Sequence, residues 1–186
     1  MTDFRIHTID SAPEGAKPVL AAAKGKFGFI PNLVAELAEA PVAAQAYLAV
    51  ADAFASSSLS LKEQQVVLIT TSIFHHCHYC VAAHSMVGKH AGLSDEALAA
   101  LRDGRSVDDP RLEAVRAFTH ALVEKRGSVG QDTVDAFLGA GFTKAQILEV
   151  LVGITQKTLS NYTNHLADTP LDEAFEAFAW EPTSVG

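Results

Sequence analysis

Residues 60–84 read SLKEQQVVLITTSIFHHCHYCVAAH and predict two consecutive helices with a short break between them. Ser60 and Glu63 have the spacing of a capping box, in which each side chain bonds to the backbone of the other residue at the start of a helix. The mostly apolar residues that follow predict a buried helix that ends at about Phe74. A second helix is predicted to start near Cys77. The stretch therefore indicates a helical protein.

The rest of the chain predicts helices as well, because alanine, leucine and valine dominate and no alternating strand pattern appears. Signals for helix starts recur along the chain, at Ser11, Pro41, Ser94, Asp109-Pro110 and a second capping box of Thr143 and Gln146. The further helices are predicted over about residues 13–24, with Ser11 as cap and Gly25 as end, and over about 33–37, 41–54, 94–102, 110–127, 131–139 and 143–167. We therefore expect a single all-α domain over residues 1–186.

A weak internal similarity links the two capping boxes. A shift of 83 residues places Ser60 on Thr143, and it places the segment 77–80 on the segment 160–163. The second copy has hydroxyl groups where the first has thiols. Either residues 142–167 are a degenerate repeat of part of the 59–92 region, which gives two pseudo-repeated halves, or the similarity is a coincidence.

Cys77 and Cys80 are the only cysteines of the chain, and His84 follows them. If a helix begins near Cys77, the three residues lie at i, i+3 and i+7 on one stripe of its first two turns. Cα atoms three residues apart on a helix are about 5 to 6 Å apart, which a disulfide tolerates. A helix N-terminus favours a thiolate, and an imidazole can accept the thiol proton. The motif therefore indicates a nucleophilic, redox-active cysteine.

Three other interpretations of the motif stay open. Five of the eight histidines lie within residues 75–90, which suits a structural zinc site, although the chain has no second Cys-x-x-Cys pair. The cysteines also fit small buried residues of an apolar face. A secreted disulfide staple is least favoured, because so short a loop constrains the unfolded chain very little. We interpret His75, His76 and His78 as solvated residues of a helix connection, with a local positive potential as the alternative.

Composition narrows the classes of partner. The 186 residues are 48% hydrophobic and 19% charged, which is typical of a compact soluble protein. A net charge of −8 argues against nucleic acid, because phosphate binding needs a basic face. The first residues do not resemble a signal peptide, and no apolar run approaches the ~18 residues that span a bilayer. We therefore expect a cytoplasmic protein with no membrane segment. In the cytoplasm thiols stay reduced, and a Cys-x-x-Cys pair is more often catalytic than structural.

The segment from Leu59 to Gly92 resembles the carboxymuconolactone decarboxylase and alkylhydroperoxidase D (AhpD) superfamily, in particular its peroxidase-related members. The family pattern is a glutamate, then Cys-x-x-Cys twelve residues later, then a histidine four residues after the second cysteine. Cys77, Cys80 and His84 match it. The segments 29–32 and 161–165 are also similar to the family, so the resemblance covers most of the chain. It implies an AhpD-like helical bundle that assembles as a homo-oligomer, a trimer or hexamer.

Two positions depart from the family pattern. Gln65 stands where the family has its proton-relay glutamate, and Tyr79 stands where AhpD has a relay histidine. Gln65 can orient a water or an imidazole by hydrogen bonds but cannot accept a proton at neutral pH. Glu63 is nearby, but the capping box gives it a structural role, and we interpret Tyr79 as a packing residue.

The resemblance implies that Cys80, Cys77, His84 and Gln65 form the catalytic set, with no cofactor and no metal. Cys80 is placed four residues before His84, so we expect it to attack a peroxide as thiolate and become a sulfenic acid, which Cys77 resolves to a disulfide. A dithiol donor, in the family a lipoyl-bearing or thioredoxin-like protein, then reduces the pair. The expected function is a thiol-dependent peroxidase or disulfide oxidoreductase. The alternatives are a redox sensor or zinc clip without turnover, and a lyase acting on a small carboxylated lactone.

Overall fold

The computed structural model describes residues 4–181, and this part of the chain is all-α, without a strand. Its helices are α1 (Lys17–Phe27), α2 (Asn32–Leu37), α3 (Pro41–Ala55), α4 (Leu61–Phe74), α5 (His78–His90), α6 (Asp95–Arg102), α7 (Pro110–Glu124), α8 (Gln131–Gly139) and α9 (Lys144–Ala167). Two 3-10 helices, Glu14–Ala16 and Glu173–Phe178, flank this set. The predicted all-α fold class is confirmed.

Helix α4 is the central element of the bundle. It is buried without interruption from Glu63 to Ser72, and it packs against α5, α7 and α9. One core joins α4 to the helices after it and contains the stacked rings of Phe118, Phe137 and Phe142, whose centroids are 4.2 and 4.3 Å apart. A second core joins the first three helices to α5, and both cysteines belong to it.

Both predicted capping boxes form. The backbone N–H of Ser60 donates to Glu63 Oε2 over 2.7 Å, and the backbone N–H of Glu63 donates to Ser60 Oγ over 3.3 Å. Thr143 and Gln146 make the same pair of bonds over 2.9 and 3.2 Å. The break between α4 and α5 has no counterpart in α9, which continues through the corresponding residues 158–160. The predicted duplication stays a prediction.

The first predicted helix is wrong in its bounds. The helix α1 begins at Lys17, has a proline in its first turn and continues past Gly25 to Phe27, where Gly28 ends it with φ +81°. Ser11 does not cap it, because its Oγ accepts from the backbone N–H of Thr8 over 3.0 Å in an earlier turn. No single helix among residues 4–181 is long and apolar enough to cross a membrane. Helices α8 and α9 taken together have the length and composition of a span, but the pair is bent by 109°.

The crossing of α9 with α3 and α4 predicts a large effect of one methyl group. A Cβ added at Gly153 would lie 2.7 Å from Phe54 Cζ and 2.8 Å from Val67 Cγ1. We expect Gly153→Ala to lower the free energy of unfolding by about 1–3 kcal/mol, because overpacking outweighs the gain of up to about 1 kcal/mol in helix propensity. Gly25→Ala in α1 is the control, since its Cβ meets nothing within 4 Å. Denaturant unfolding measures both; a Gly153→Ala protein as stable as Gly25→Ala would contradict the close crossing.

Candidate active site

The first turn of α5 contains both cysteines. Cys77 is the N-cap with an extended backbone, and Cys80 lies in the first turn. Each is 1% exposed, and both are free thiols. The positive end of the helix dipole and the unpaired N–H groups of this turn favour an anion. The helix start therefore places the two sulfurs together where a thiolate is stabilised.

A polar stripe of α9 faces these sulfurs. The stripe is formed by four buried residues spaced i, i+3, i+4 and i+7, namely Lys157, Ser160, Asn161 and Asn164. The amide Nδ2 of Asn164 lies 3.3 Å from Cys77 Sγ and 3.1 Å from Cys80 Sγ. The hydroxyl oxygen of Ser160 is 3.6 Å from Cys80 Sγ. An amide that donates to both sulfurs is suited to an anionic sulfur.

Lys157 is the charged member of this stripe and is 0% exposed. Its Nζ lies 3.5 Å from Cys80 Sγ and 2.7 Å from His84 Nε2. Because His84 Nε2 is the closer partner and the ammonium has only hydrogens to donate, this imidazole nitrogen accepts. Lys157 therefore lies between the thiol and the imidazole that the sequence places together.

His84 and Gln65 contact one another directly. The Nδ1 atom of His84 is 3.0 Å from the amide oxygen of Gln65, so Nδ1 carries the proton and donates it. Burial and the neighbouring Lys157 hold the pKa of His84 well below its usual value. The imidazole is therefore neutral, and Gln65 fixes its tautomer. Within residues 4–181 the hydrogen bonds of His84 go to Lys157 and Gln65, so the predicted link from His84 to Cys80 runs through the lysine amine.

The two thiols differ in acidity. Burial opposes the charged form of Cys80, but the hydrogen bond from Cys77, the charge of Lys157 and the hydrogen bonds from α9 outweigh it and hold the pKa of Cys80 well below its usual value. The hydrogen bond to Cys80, together with burial, raises the pKa of Cys77. Burial also opposes the charge of Lys157, and the Cys80 thiolate nevertheless raises the pKa of this lysine. The site is arranged for a Cys80 thiolate, a Cys77 thiol and a Lys157 ammonium.

Glu63 and Tyr79, which the sequence analysis interpreted as structural residues, make structural contacts. Glu63 completes its capping box and also accepts from Arg111 Nε over 2.6 Å. The hydroxyl of Tyr79 donates to Asp172 Oδ2 over 2.6 Å, which ties α5 to the segment after α9. Burial and this hydrogen bond raise the pKa of Tyr79. Neither residue touches the sulfurs in the hydrogen-bond network of the described chain.

The histidines around the motif face other groups. His75 Nδ1 donates to Asn161 Oδ1 over 3.0 Å, and His76 is exposed with a left-handed backbone, φ +54°. Across residues 4–181, no three His, Cys, Asp or Glu side chains are grouped so that they could hold a metal ion. The neighbours of the sulfurs on α9 are an amide, an ammonium and a hydroxyl, which are not the usual ligands of a structural zinc site.

Sequence reasoning missed Lys157 and Asn164 as neighbours of the dithiol. They lie 77 and 84 residues after Cys80 in the chain. The available signal was the polar stripe on α9, because four polar residues on one face of a long helix in an apolar bundle need partners inside the protein.

The family comparison matches part of the chain. A model of the carboxymuconolactone decarboxylase family matches residues 36–121, a range that contains both cysteines, His84 and Gln65 but not α9. This match and the solved structures described next support the carboxymuconolactone decarboxylase and AhpD-like superfamily. No curated protein matches the chain in sequence.

Solved structures share the fold over nearly the whole chain. An uncharacterized peroxidase-related protein from Ralstonia eutropha JMP134, described as an alkylhydroperoxidase AhpD core, aligns with a TM-score of 0.84 at 20% identity and covers 97% of each chain. The debrominase Bmp8 aligns with a TM-score of 0.79 at 18% identity over 96% of each chain. A peroxidase-related protein from Silicibacter sp. TM1040 gives 0.78 at 15% identity, over 94% of this chain and 92% of the other. At these identities the likeness shows the AhpD-like fold.

The Lys157 contact predicts the charge of the dithiol. We expect the reduced protein at pH 7 to carry one thiolate, which Cys80→Ser removes. Lys157→Met should also remove it. The substitution keeps the side-chain volume but takes away the cation, so the pKa of Cys80 rises and the thiol keeps its proton. Ultraviolet thiolate absorbance as a function of pH measures the effect. Lys144→Met, at an exposed position of the same helix, is the control; an unchanged thiolate in Lys157→Met would contradict the charge pair.

Proposed function

We propose that this protein is a thiol-dependent peroxidase or disulfide oxidoreductase that uses Cys80 as nucleophile and Cys77 as resolving thiol. The observation that carries the proposal is the buried Lys157 at 3.5 Å from Cys80 Sγ. The ammonium keeps Cys80 as a thiolate, which is the reactive form of a cysteine, while the neighbouring Cys77 keeps its proton. A purely structural pair of buried cysteines needs neither the cation nor the difference in acidity.

The reaction follows from the two thiols. The Cys80 thiolate attacks the terminal oxygen of hydrogen peroxide or an alkyl hydroperoxide, and a sulfenic acid and an alcohol or water result. The thiol of Cys77 then displaces water from the sulfenic acid, and the disulfide forms. A dithiol donor returns both cysteines to the reduced state by thiol–disulfide exchange. We propose a lipoyl-bearing or thioredoxin-like protein as this donor.

One feature of the site and the names of two structural relatives support a small polar substrate. The buried Oδ1 of Asn164 has no hydrogen-bond partner among the described residues, so the site offers one acceptor to a hydroxyl group. The structural relatives from Ralstonia and Silicibacter are named as peroxidase-related proteins, which fits peroxide as the oxidant. The predicted cytoplasmic location and the predicted trimer or hexamer stay predictions.

A second candidate function is the reductive removal of a halogen from an aromatic substrate. The debrominase Bmp8 has been solved as a cysteine-to-alanine variant in complex with 2,3,4-tribromopyrrole. A thiolate that attacks a bromine breaks the carbon–bromine bond and forms a sulfenyl bromide, and the ring carbon takes a proton in place of the bromine. The second thiol then displaces bromide and gives up its proton, so that the overall products are the disulfide, bromide and the debrominated ring. This reaction uses the same pair of cysteines and the same dithiol donor. Bromide release from 2,3,4-tribromopyrrole, compared with hydroperoxide consumption in the same preparation, decides between the two substrates.

Single cysteine variants test the proposed roles. We expect Cys80→Ser to abolish hydroperoxide consumption, because the nucleophile is lost. Cys77→Ser should consume about one equivalent and then stop at a sulfenic acid or a mixed disulfide. Peroxide consumption and a sulfenic-acid probe with mass spectrometry follow both variants. A probe that labels Cys77 in Cys80→Ser would reverse the two roles.

Peroxide turnover, bound zinc and activity on a carboxylated lactone together separate the enzyme from its alternatives. A redox sensor forms the disulfide once but does not turn over with a dithiol donor. A zinc clip holds stoichiometric zinc and keeps two thiols after peroxide treatment. A lactone lyase works without either cysteine, so activity on a carboxylated lactone that survives Cys80→Ser would contradict the proposal.

A further inference from the structure

Lys157 is a buried cation without a carboxylate partner. No Asp or Glu within the described part of the chain lies at ion-pair distance from its Nζ. An ammonium in a protein interior is costly unless an anion lies beside it. Three groups near Lys157 can become anions, the thiols of Cys80 and Cys77 and the phenol of Tyr47, and the one at hydrogen-bond distance is Cys80 Sγ at 3.5 Å. The charge of the lysine therefore depends on the redox state of the cysteine.

The amine stays in place when this charge changes. The Nε2 atom of His84 accepts from Nζ over 2.7 Å, and a neutral amine can still donate to it, although more weakly than an ammonium. The tautomer that allows this is fixed on the far side of the ring by the amide oxygen of Gln65 at 3.0 Å. Nζ is thus held beside Cys80 before and after it loses a proton.

We propose that Lys157 is the proton donor of the dithiol site: its ammonium protonates the oxygen that leaves the hydroperoxide, and the lysine remains a neutral amine in the oxidised protein. This inference rests on the proposed function. His84 and Gln65 are then positioning residues, which act through Lys157. The proton that a glutamate relay would have to handle is stored on the lysine, so the presence of glutamine at position 65 is consistent with an active site.

The first step balances without any other acid. The Cys80 sulfur forms a bond to the terminal peroxide oxygen, the O–O bond breaks, and the sulfur is oxidised as the peroxide is reduced. The leaving alkoxide or hydroxide takes one proton from the Lys157 ammonium. The products are a Cys80 sulfenic acid, an alcohol or water, and a neutral amine.

The remaining steps return the proton. The Cys77 thiol gives its proton to the Lys157 amine and attacks the Cys80 sulfur, and the departing hydroxide takes that proton and leaves as water. The disulfide then has no anion beside Nζ, so the amine stays neutral. A dithiol donor supplies two hydrogens on reduction: one remains on the Cys77 thiol, and the other goes to Lys157 as the Cys80 thiolate forms. The complete cycle exchanges no proton with the solvent.

Proton uptake on oxidation of the wild-type protein tests the proposal. Reduced protein that carries one thiolate is mixed with one equivalent of hydrogen peroxide in weakly buffered solution near pH 7, and an indicator dye reports the proton change. We expect that no proton is taken up from the medium when the disulfide forms, because Lys157 supplies the proton. If Lys157 kept its charge in the oxidised protein, one proton per disulfide would be taken from the medium, and that result would overturn the proposal.

A second oxidant makes this test independent of peroxidase activity. Diamide accepts two hydrogens from a dithiol and needs no catalytic step of the protein. No proton uptake with diamide, together with failure to consume peroxide, would reject the proposed function and leave the discharge of Lys157 standing. Uptake of one proton with diamide would reject the discharge, whether or not peroxide is consumed.

Lys157→Arg separates proton donation from charge. Arginine keeps the cation but does not release a proton in proteins. We expect the thiolate to persist, and the rate constant with tert-butyl hydroperoxide to fall about 10²–10⁴-fold. The rate with peracetic acid should fall less than about tenfold, because a carboxylate leaves without a proton. Lys144→Arg, at the exposed start of α9, is the control. Equal losses with both oxidants would overturn the proposal, and if Lys157→Arg does not fold, the wild-type proton balance decides.

Discussion

A cation at Lys157 can exist inside this bundle only beside an anion, and the first turn of α5 supplies that anion. The lysine has no exposed surface, and its amine contacts one thiol and one neutral imidazole. The pairing sets the two cysteines apart, because a thiolate at Cys80 accepts a hydrogen bond from Cys77 and so holds the proton of Cys77 in place. This charge pair therefore supports the proposed roles of Cys80 as nucleophile and Cys77 as resolving thiol.

The fold serves to bring one stripe of α9 against the start of α5. Helix α9 has 24 residues without a break, and Gly153 lets it approach Phe54 and Val67. The break at residues 75–77 turns the chain so that α5 starts beside the second half of α9. Asn161 fixes this break, because its Oδ1 accepts from His75 and its Nδ2 donates to Ser72 Oγ over 3.3 Å. The site thus depends on contacts between residues 73 to 89 positions apart in the chain.

Much of the fold could be predicted from local signals. The capping boxes give the starts of α4 and α9, and the bounds of α8 follow from its apolar spacing and the glycines around it. The start of α1 could not be predicted, because Ser11 and Pro18 are both acceptable start signals and Gly25 and Gly28 are both acceptable ends. Tertiary contacts select between such equivalent signals.

Only the part of the candidate site that belongs to the cysteine motif and its family pattern could be predicted from the sequence. Cys77, Cys80 and His84 share one helix, and the resemblance to the family placed Gln65 near them, where it bonds to His84. Lys157 and Asn164 come from another helix. Helical periodicity predicts that they share one face of that helix, but it does not predict which helix packs against the face. The sequence therefore suggested that His84 activates Cys80 directly, whereas the amine of Lys157 lies between the two.

The charge of the Lys157 side chain in the reduced and in the disulfide form tests the central claim most directly. Nitrogen-15 NMR of the lysine Nζ, assigned by comparison with Lys157→Arg, distinguishes an ammonium from an amine. The account predicts an ammonium in the reduced protein and a neutral amine once Cys77 and Cys80 are joined. The same charge in both forms, or a neutral lysine beside a protonated Cys80 in the reduced protein, would contradict it.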